Sequence, residues 1–337
     1  MKTAKNSNLL VTSNPHIVDS MNTTKIMALV SIALLPSLIA SIVIFGARAL
    51  ILAAVCVIAS MFFEWAYEKI AKKPSTVGDL SAVVTGLLIS MNVPVTLPYW
   101  MAVIGCFVAI VIVKQFFGGL GQNFANPAIT ARIVLFLSFT TDMTVWADPT
   151  QGKVFSAADA VSSATPLGIM NESGIAEAQS QFSDLTMFLG NTGGSMGEVC
   201  AAALLIGGLF LIIMKVISPA TPVAFLGTIA VISLIAGADP VWQICAGGAM
   251  IGAFFMATDY ATTPTTTMGK VIFGIGCGLV TMLIRLYGNY PEGVSFSILL
   301  MNILTPHIDS FCEKRLYGNP KKAAKLAEKK AAEGGAK

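Results

Sequence analysis

Long apolar segments with almost no charge dominate this chain. A membrane-spanning helix needs about 20 mostly apolar residues. Eight segments meet that length, at 25–46, 47–70, 99–117, 197–217, 220–237, 241–258, 268–287 and 294–311. Two shorter apolar segments, 79–93 and 127–140, are long enough for buried or half-spanning helices. Only 12% of the 337 residues are charged, against about 25% in soluble domains. These features exclude a soluble enzyme, a disordered chain and a secreted disulfide scaffold.

The distribution of charge predicts how the segments are oriented. We predict an all-α polytopic membrane protein with about ten transmembrane segments, some of them short or broken. If both termini are cytoplasmic, 17 of the 21 Lys and Arg residues lie inside, Arg48, Lys153 and Arg285 lie outside, and Arg132 lies within the fifth apolar segment. Basic residues favour the cytoplasmic side of a membrane. The acidic loop 141–196 is then extracytoplasmic.

Two halves of the chain resemble each other. Ile-Gly-Cys at 104–106 recurs at 275–277, and the same alignment places Lys114 on Arg285. Phe117-Gly118 then matches Tyr287-Gly288 with one residue dropped. Because each half holds five segments, the second half inserts in the opposite orientation, as in many transport folds. The predicted regions are a cytoplasmic arm (1–24), a first repeat (25–140), the outer loop (141–196), a second repeat (197–311) and a basic cytoplasmic tail (312–337).

Several breaks in the apolar segments place polar groups at membrane depth. Gly and Pro interrupt the chain at 118–127, before Asp79 and after Asp259. Irregular backbone survives there only when it is buried or lines a polar cavity. The breaks therefore indicate a central cofactor or ion site, or else ordinary loops. Asp79 and Asp259 are candidates for an ion path, or caps of broken helices. Glu64 and Glu68 are expected to extend toward the cytoplasmic surface.

The outer loop contains Asp159-Ala-Val-Ser162-Ser163-Ala164-Thr165-Pro-Leu. The simplest interpretation is a Ser-rich loop, in which Pro166 disfavours a helix through Thr165. The alternative is a modification site, because Thr165 offers a hydroxyl among small neighbours in an exposed segment. A phosphoester could form there, with the Asp159 carboxylate helping to position the incoming group.

Four motifs, in the same order along the chain, resemble those of one family. The segment 159–165 resembles the flavin-transfer motif D-x-x-[ST]-G-A-T of membrane subunits that carry covalent FMN, with Ser163 in place of glycine. The segments 13–17, 118–128 and 256–264 resemble its S-P-H, G-G-L-G-x-N-x-x-N-P-A and M-A-T-D…S-P motifs. The family is NqrB/RnfD, which the sodium-pumping quinone reductase and the Rnf complex share. Length and a short N-terminal arm resemble RnfD more than the longer NqrB, which remains the alternative.

The resemblance implies a subunit of a ferredoxin:NAD oxidoreductase complex that translocates sodium ions or protons. It implies FMN joined through its phosphate to Thr165, with the surrounding motif recognised by an extracytoplasmic flavin transferase. Related subunits also bind a second, noncovalent riboflavin. Arg132 is expected to face a flavin, or to pair with Asp79 or Asp259. The residues expected to recognise or bind flavin are Thr165, Asp159, Ser162, Ser163, Ala164, Arg132, Asn123 and Asn126.

The same sequence predicts that other subunits are needed. No G-x-G-x-x-G follows a strand, and the six cysteines lack the spacing of an iron–sulfur or zinc site, so we expect them to be small buried apolar residues. NAD and ferredoxin are therefore expected to bind other Rnf subunits, those with iron–sulfur, flavin and NAD sites. The remaining partner is the lipid bilayer of a bacterial or archaeal plasma membrane; no nucleic acid, metal or cleavable signal peptide is expected. A channel of the urea or ammonium type is the alternative from another class.

Overall fold

A computed structural model describes residues 21–149, 163–288, 290 and 292–316, with side chains up to residue 312. These residues form helices and no strand, which confirms the all-helical prediction. The motif at 13–17, most of the basic tail, Asp159 and Ser162 lie outside the described residues.

Helices of the first half coincide with the predicted apolar segments. They are α1 (Thr23–Phe45), α2 (Ala47–Ile70), α3 (Ser81–Met91), α4 (Tyr99–Phe107, continued as a π-helix over Val108–Gln115), α5 (Pro127–Ser138) and the short α6 (Thr140–Met143). The described part of the outer loop contains three short helices, α7 (Pro166–Ser173), α8 (Ile175–Gln181) and α9 (Asp184–Leu189).

The second half follows the same order, with one difference from the prediction. It contains α10 (Ala201–Ile213), α11 (Ala220–Ile235), α12 (Pro240–Cys245), α13 (Ala249–Ile251, continued as a π-helix over Gly252–Met256), α14 (Thr267–Tyr287) and α15 (Val294–Leu316). The single span predicted at 241–258 is wrong, because the helix breaks at 246–248. Gly247 has a φ of +56° there, a left-handed conformation that an α-helix does not contain.

Local sequence signals set several of the helix ends. The Asn126 side chain accepts a hydrogen bond from the Ala128 N–H at 3.0 Å, and Pro127 occupies the first turn of α5. An Asn cap followed by Pro is a typical start for a helix, because the cap satisfies a free N–H and Pro needs none. Gly46, with a φ of +87°, separates α1 from α2.

The two halves share a pattern of neighbours. In the first half α2 packs against α3 and α4, and α4 packs against α5; in the second half α11 packs against α12 and α14, and α14 packs against α15. A contact between α1 and α10 joins the halves. This pattern is what the predicted repeat requires. The inverted repeat itself and the number of ten spans stay predictions.

In the part of the chain that the structure describes, four helices are long and apolar enough to cross a membrane, over Thr23–Phe45, Ala47–Ile70, Thr267–Tyr287 and Val294–Cys312. Five further apolar helices are shorter, with 10 to 17 residues. The chain is thus a multi-pass membrane protein. The prediction for the cysteines is also confirmed: all six are free, and five of them are buried.

Close contact between α2 and α3 depends on Gly86. A Cβ atom at this position would lie 2.8 Å from both the Cys56 carbonyl oxygen and the Val57 Cα. Both neighbours are backbone atoms of α2, so they cannot move aside without shifting the helix. Small residues serve this purpose between membrane helices, because they let two backbones approach.

We expect Gly86→Ala to destabilise the protein by about 1–3 kcal/mol, since overpacking of this kind displaces a helix. Gly227→Ala on α11 is the matched control, because nothing lies within 4 Å of a Cβ atom there. Unfolding by SDS in mixed micelles measures both variants. Equal stability of the two variants would contradict the close packing of α2 and α3.

Candidate functional site

Thr165, the last residue of the motif, lies at the start of a helix. Its hydroxyl oxygen accepts a hydrogen bond from the Gly168 N–H at 3.0 Å and caps α7. Pro166 occupies the first turn of that helix. The prediction that no helix continues through Thr165 is confirmed, because α7 begins one residue later. The side chain is half-buried, and its neighbour Ala164 is exposed.

The Thr165 side chain lines a pocket of about 50 Å³, which we call the outer pocket. Small residues and two carboxylates form much of its wall. The lining residues are Trp146, Thr165, Pro166, Leu167, Met187, Thr192, Gly193, Gly194, Ser195, Glu198, Val199, Cys245, Gly247 and Glu292. The pocket therefore combines a reactive hydroxyl, a helix N-terminus and room that glycines leave open.

Ser163 anchors the end of the motif to the preceding loop. Its N–H donates to the Trp146 carbonyl at 2.9 Å. The Ser163 hydroxyl is buried, and it has no hydrogen-bond partner in the part of the chain that the structure describes. A Cβ atom at Gly193 would collide with that hydroxyl. Serine therefore fits in place of the family's glycine here, because Gly193 provides the space.

Arg132 is buried beside the outer pocket, where it contacts two carboxylates. Its guanidinium lies 2.5 Å from Glu198 and forms a second ion pair with Glu292. It also donates to the Asn92 side chain at 3.0 Å and to the Ser195 hydroxyl at 3.3 Å. The expected pairing with Asp79 or Asp259 is wrong. Whether Arg132 also contacts a flavin stays a prediction.

Glu292 joins this cluster to the broken helix of the second half. Its carboxylate accepts from the Gly248 N–H at 2.9 Å, and a Cβ atom at Gly248 would collide with Glu292 and lie 2.7 Å from Glu198 Oε1. Arg285, which donates to the Gln243 and Ala246 carbonyls at 2.7 Å, interacts electrostatically with both carboxylates. We call Arg132, Glu198, Glu292 and Arg285 the outer charge cluster.

The outer charge cluster is balanced, with two positive and two negative groups. Burial of a charge is costly unless it is paired, so the four groups depend on one another. Ionisable residues at membrane depth are candidates for function by default. Sequence reasoning missed Glu198 and Glu292. Their position just before the apolar segments of α10 and α15 was the signal available.

Asn123 and Asn126 lie in a different place, at a cavity of about 100 Å³ that we call the inner cavity. It shares no described lining residue with the outer pocket. Asn126 caps α5, and its amide donates to the Met256 carbonyl at 3.3 Å. Asn123 donates to the Ala125 carbonyl at 3.0 Å. The structure thus separates the predicted flavin residues into an outer and an inner group.

The two candidate ion-path residues both make local hydrogen bonds. Asp79 accepts from the Ser81 N–H at 2.7 Å, at the start of α3, as the capping alternative predicts. Asp259 lines the inner cavity and accepts from the Thr262 hydroxyl at 3.0 Å. Lys114 connects the surroundings of Asp79 with those of Asp259: it lines the inner cavity, as Asp259 does, and it donates to the hydroxyl of Ser81, the hydrogen-bond partner of Asp79, at 2.6 Å. An ion path through them stays a prediction.

Glu64 and Glu68 do not extend to the surface, so that expectation is wrong. Both side chains are buried. Glu64 forms an ion pair with Lys114 at 2.5 Å and accepts from Gln115 at 3.1 Å, while Glu68 accepts from the Thr76 N–H at 3.0 Å. The buried Lys114, 50 residues away along the chain, explains why Glu64 lies in the interior rather than at the surface, because the ion pair makes that position favourable.

We expect Arg132→Met to destabilise the protein by about 3–5 kcal/mol, because it leaves Glu198 and Glu292 buried without their shared cation. Unfolding by SDS in mixed micelles measures the loss. The triple variant with Glu198→Gln and Glu292→Gln is the control, and it should recover most of the stability. An Arg132→Met protein as stable as the unmodified one would contradict the pairing.

Comparison with known proteins finds relatives that are named as subunits of oxidoreductase complexes. It is 50% identical to the D subunit of the Na⁺-translocating ferredoxin:NAD⁺ oxidoreductase complex of Acetobacterium woodii, over 92% of this chain and 96% of that relative. It is 42% identical to the D subunit of the proton-translocating ferredoxin:NAD⁺ oxidoreductase complex of Clostridium ljungdahlii, over 91% and 96%. The D subunit of an ion-translocating oxidoreductase complex from Actinobacillus succinogenes is 37% identical, over 91% and 97%.

A family model agrees with these relatives. The model of the NQR2, RnfD, RnfE family matches residues 10–318, which include all four motifs. With the fold, the motif order and these relatives in agreement, the chain belongs to the NQR2/RnfD/RnfE family.

Proposed function

We propose that this chain is the D-type membrane subunit of an ion-translocating ferredoxin:NAD⁺ oxidoreductase complex, and that FMN is joined to its Thr165 through the phosphate. The observation that carries the proposal is the position of the Thr165 hydroxyl. It caps α7 at the edge of the outer pocket, at the last motif position, in a chain 50% identical to a relative of that name.

The residues around Thr165 fit a phosphoester. The N-terminus of a helix favours negative charge, because its N–H groups are unpaired and the helix dipole is positive there. The Gly168 N–H donates to the Thr165 hydroxyl, which would be the ester oxygen of the phosphate, so the helix N-terminus lies directly beside the attachment point. Gly193, Gly194 and Gly247 leave the pocket open beside it. These features support attachment at this hydroxyl.

A flavin accepts two electrons together and passes them on singly, which connects hydride carriers to one-electron centres. The protein's part is to hold that group, tune its potential and exclude water. Two members of the outer charge cluster, Glu198 and Glu292, line the pocket, and Arg132 pairs with both of them. Several hydrogen bonds hold each of Arg132 and Glu292 in place. These two side chains therefore need to reorient little when the charge nearby changes.

We further propose that the outer loop is extracytoplasmic and both termini are cytoplasmic. The acidic character of 141–196 and the basic tail support this orientation. A flavin transferase outside the cytoplasm would then recognise Asp159, Ser162 and Ala164. Ala164 is exposed, as recognition requires. NAD⁺ and ferredoxin would bind other subunits of the complex.

The inner cavity is the proposed place for a second, noncovalent riboflavin. Asn123, Asn126 and Asp259 line it, and amide groups can both donate and accept hydrogen bonds. Such groups suit a neutral ring and polyol that carry no phosphate. The proposal for Thr165 does not depend on this second site.

We expect the full-length chain, expressed with its flavin transferase, to fluoresce as a flavin band on a denaturing gel, because only a covalent group survives denaturation. Thr165→Ala removes the acceptor oxygen and should give a dark band. Thr192→Ala is the matched control: Thr192 lines the same pocket but lies outside the motif, so its band should remain bright.

A bright Thr165→Ala band would contradict the site of attachment. A dark band from the unmodified chain would contradict the redox proposal itself. The channel of the urea or ammonium type, which needs no covalent flavin, would then be favoured.

A second prediction concerns the ion path. If Asp79 and Asp259 contact the translocated ion, Asp79→Asn and Asp259→Asn should each raise the sodium concentration for half-maximal turnover of the whole complex, since each removes a negative charge. Glu177→Gln, on an exposed part of α8, is the control. Unchanged sodium dependence in both aspartate variants would contradict the path.

A further inference from the structure

A further pocket of about 60 Å³ lies next to the outer pocket, and aromatic rings form much of its wall. Phe136, Tyr290 and Phe296 form one cluster there: Tyr290 stacks on Phe296 at 5.9 Å, and Phe136 meets Tyr290 edge-on at 5.4 Å. We call this the aromatic pocket. Its described lining residues are Arg132, Ile133, Phe136, Met143, Thr144, Trp146, Tyr290, Glu292, Ser295 and Phe296.

Two residues line both pockets, namely Trp146 and Glu292. They form the boundary between a glycine-lined space that contains Thr165 and Glu198 and a space lined by Phe136, Tyr290 and Phe296. A ligand attached to the Thr165 hydroxyl, with a polar end and an aromatic end, would match these two pockets: its polar end would lie in the outer pocket and its aromatic end in the aromatic pocket.

Trp146 is held in place through its backbone. Its carbonyl accepts from the Ser163 N–H at 2.9 Å, two residues before Thr165. The distance between the indole and the Thr165 hydroxyl is thereby restricted by a short, hydrogen-bonded connection. The side chain is half-buried, so part of it is accessible to a ligand.

Glu292 is held in place through its carboxylate. Arg132 pairs with it, and the Gly248 N–H donates to it at 2.9 Å. Both partners come from parts of the chain that are distant in sequence from Glu292, so the carboxylate is fixed between the two halves. It supplies a rigid polar group at the boundary of the aromatic pocket.

We propose that Trp146 and Glu292 form the binding site of the flavin ring carried by Thr165, which we call the ring site. Trp146 presents an aromatic face, and Glu292, oriented by Arg132, lies at the polar edge of the ring. Aromatic rings stack favourably in offset or edge-to-face arrangements, while the ribityl phosphate remains in the outer pocket beside Thr165. This inference rests on the proposed function, because the ring reaches the boundary only from Thr165.

Fluorescence of the full-length, flavin-loaded chain in detergent tests the aromatic part. An indole next to a flavin quenches its excited state by electron transfer, whereas a phenyl ring does not. Trp146→Phe should therefore lengthen the flavin fluorescence lifetime several-fold, and adding Tyr290→Phe should lengthen it further. Trp100→Phe is the control, because Trp100 is exposed, packs on Phe139 and lines neither pocket.

The reduction potential tests the polar part. Glu292→Gln keeps the size of the side chain but removes a negative charge near the ring, so it should raise the flavin midpoint potential by favouring the more negative reduced form. Glu172→Gln, which removes the same charge from the exposed surface of α7, should leave the potential unchanged.

A denaturing gel of each variant separates failure of this inference from failure of the proposed function. If the bands are bright and the flavin fluorescence lifetime of Trp146→Phe equals that of the unmodified chain, the ring site alone is overturned. The same holds if the bands are bright and Glu292→Gln and Glu172→Gln have equal flavin midpoint potentials. A dark band from the unmodified chain would overturn the proposed function and, with it, the ring site.

Discussion

The burial of a single guanidinium constrains much of the structure around the outer pocket. Arg132 on α5 contacts Glu198 before α10, Glu292 before α15 and Asn92 after α3. A charge removed from water is tolerated only when all its partners are in place. The four segments must therefore assemble together, and the shape of the outer pocket follows from that assembly rather than from any one loop.

The chain keeps its two polar regions apart. The outer region holds Thr165 and the outer charge cluster; the inner one holds Lys114 with Glu64, beside Asp259 and the asparagines. The helix α5 connects them, with Asn126 at its start and Arg132 six residues later, a rise of about 9 Å along the axis. If the proposed flavin and the proposed ion path are both present, α5 is the short, rigid element between them.

Local features of the sequence predicted much of this architecture. Apolar length located the helices, Pro166 ended the segment at Thr165, and Gly-Pro breaks marked α5 and its cap, because each of these signals acts within a few residues. Partners across the fold were out of reach. Arg132 meets Glu198 and Glu292 from 66 and 160 residues away, and no local pattern encodes such a pairing. The same reason explains the wrong expectation for Glu64.

The π-helix in α4 bears on how the two halves diverged. Val108–Gln115 is a π-helix, whereas the aligned α14 is a regular α-helix throughout. A single π turn accommodates one additional residue within a helix, and the alignment of the halves drops one residue at this end. The dropped residue follows Lys114 in that alignment, so Lys114 and Arg285 remain aligned with each other. Their surroundings differ instead: Lys114 pairs with Glu64 on α2, whereas Arg285 donates to the Gln243 and Ala246 carbonyls, so two aligned cations hold different parts of the chain together.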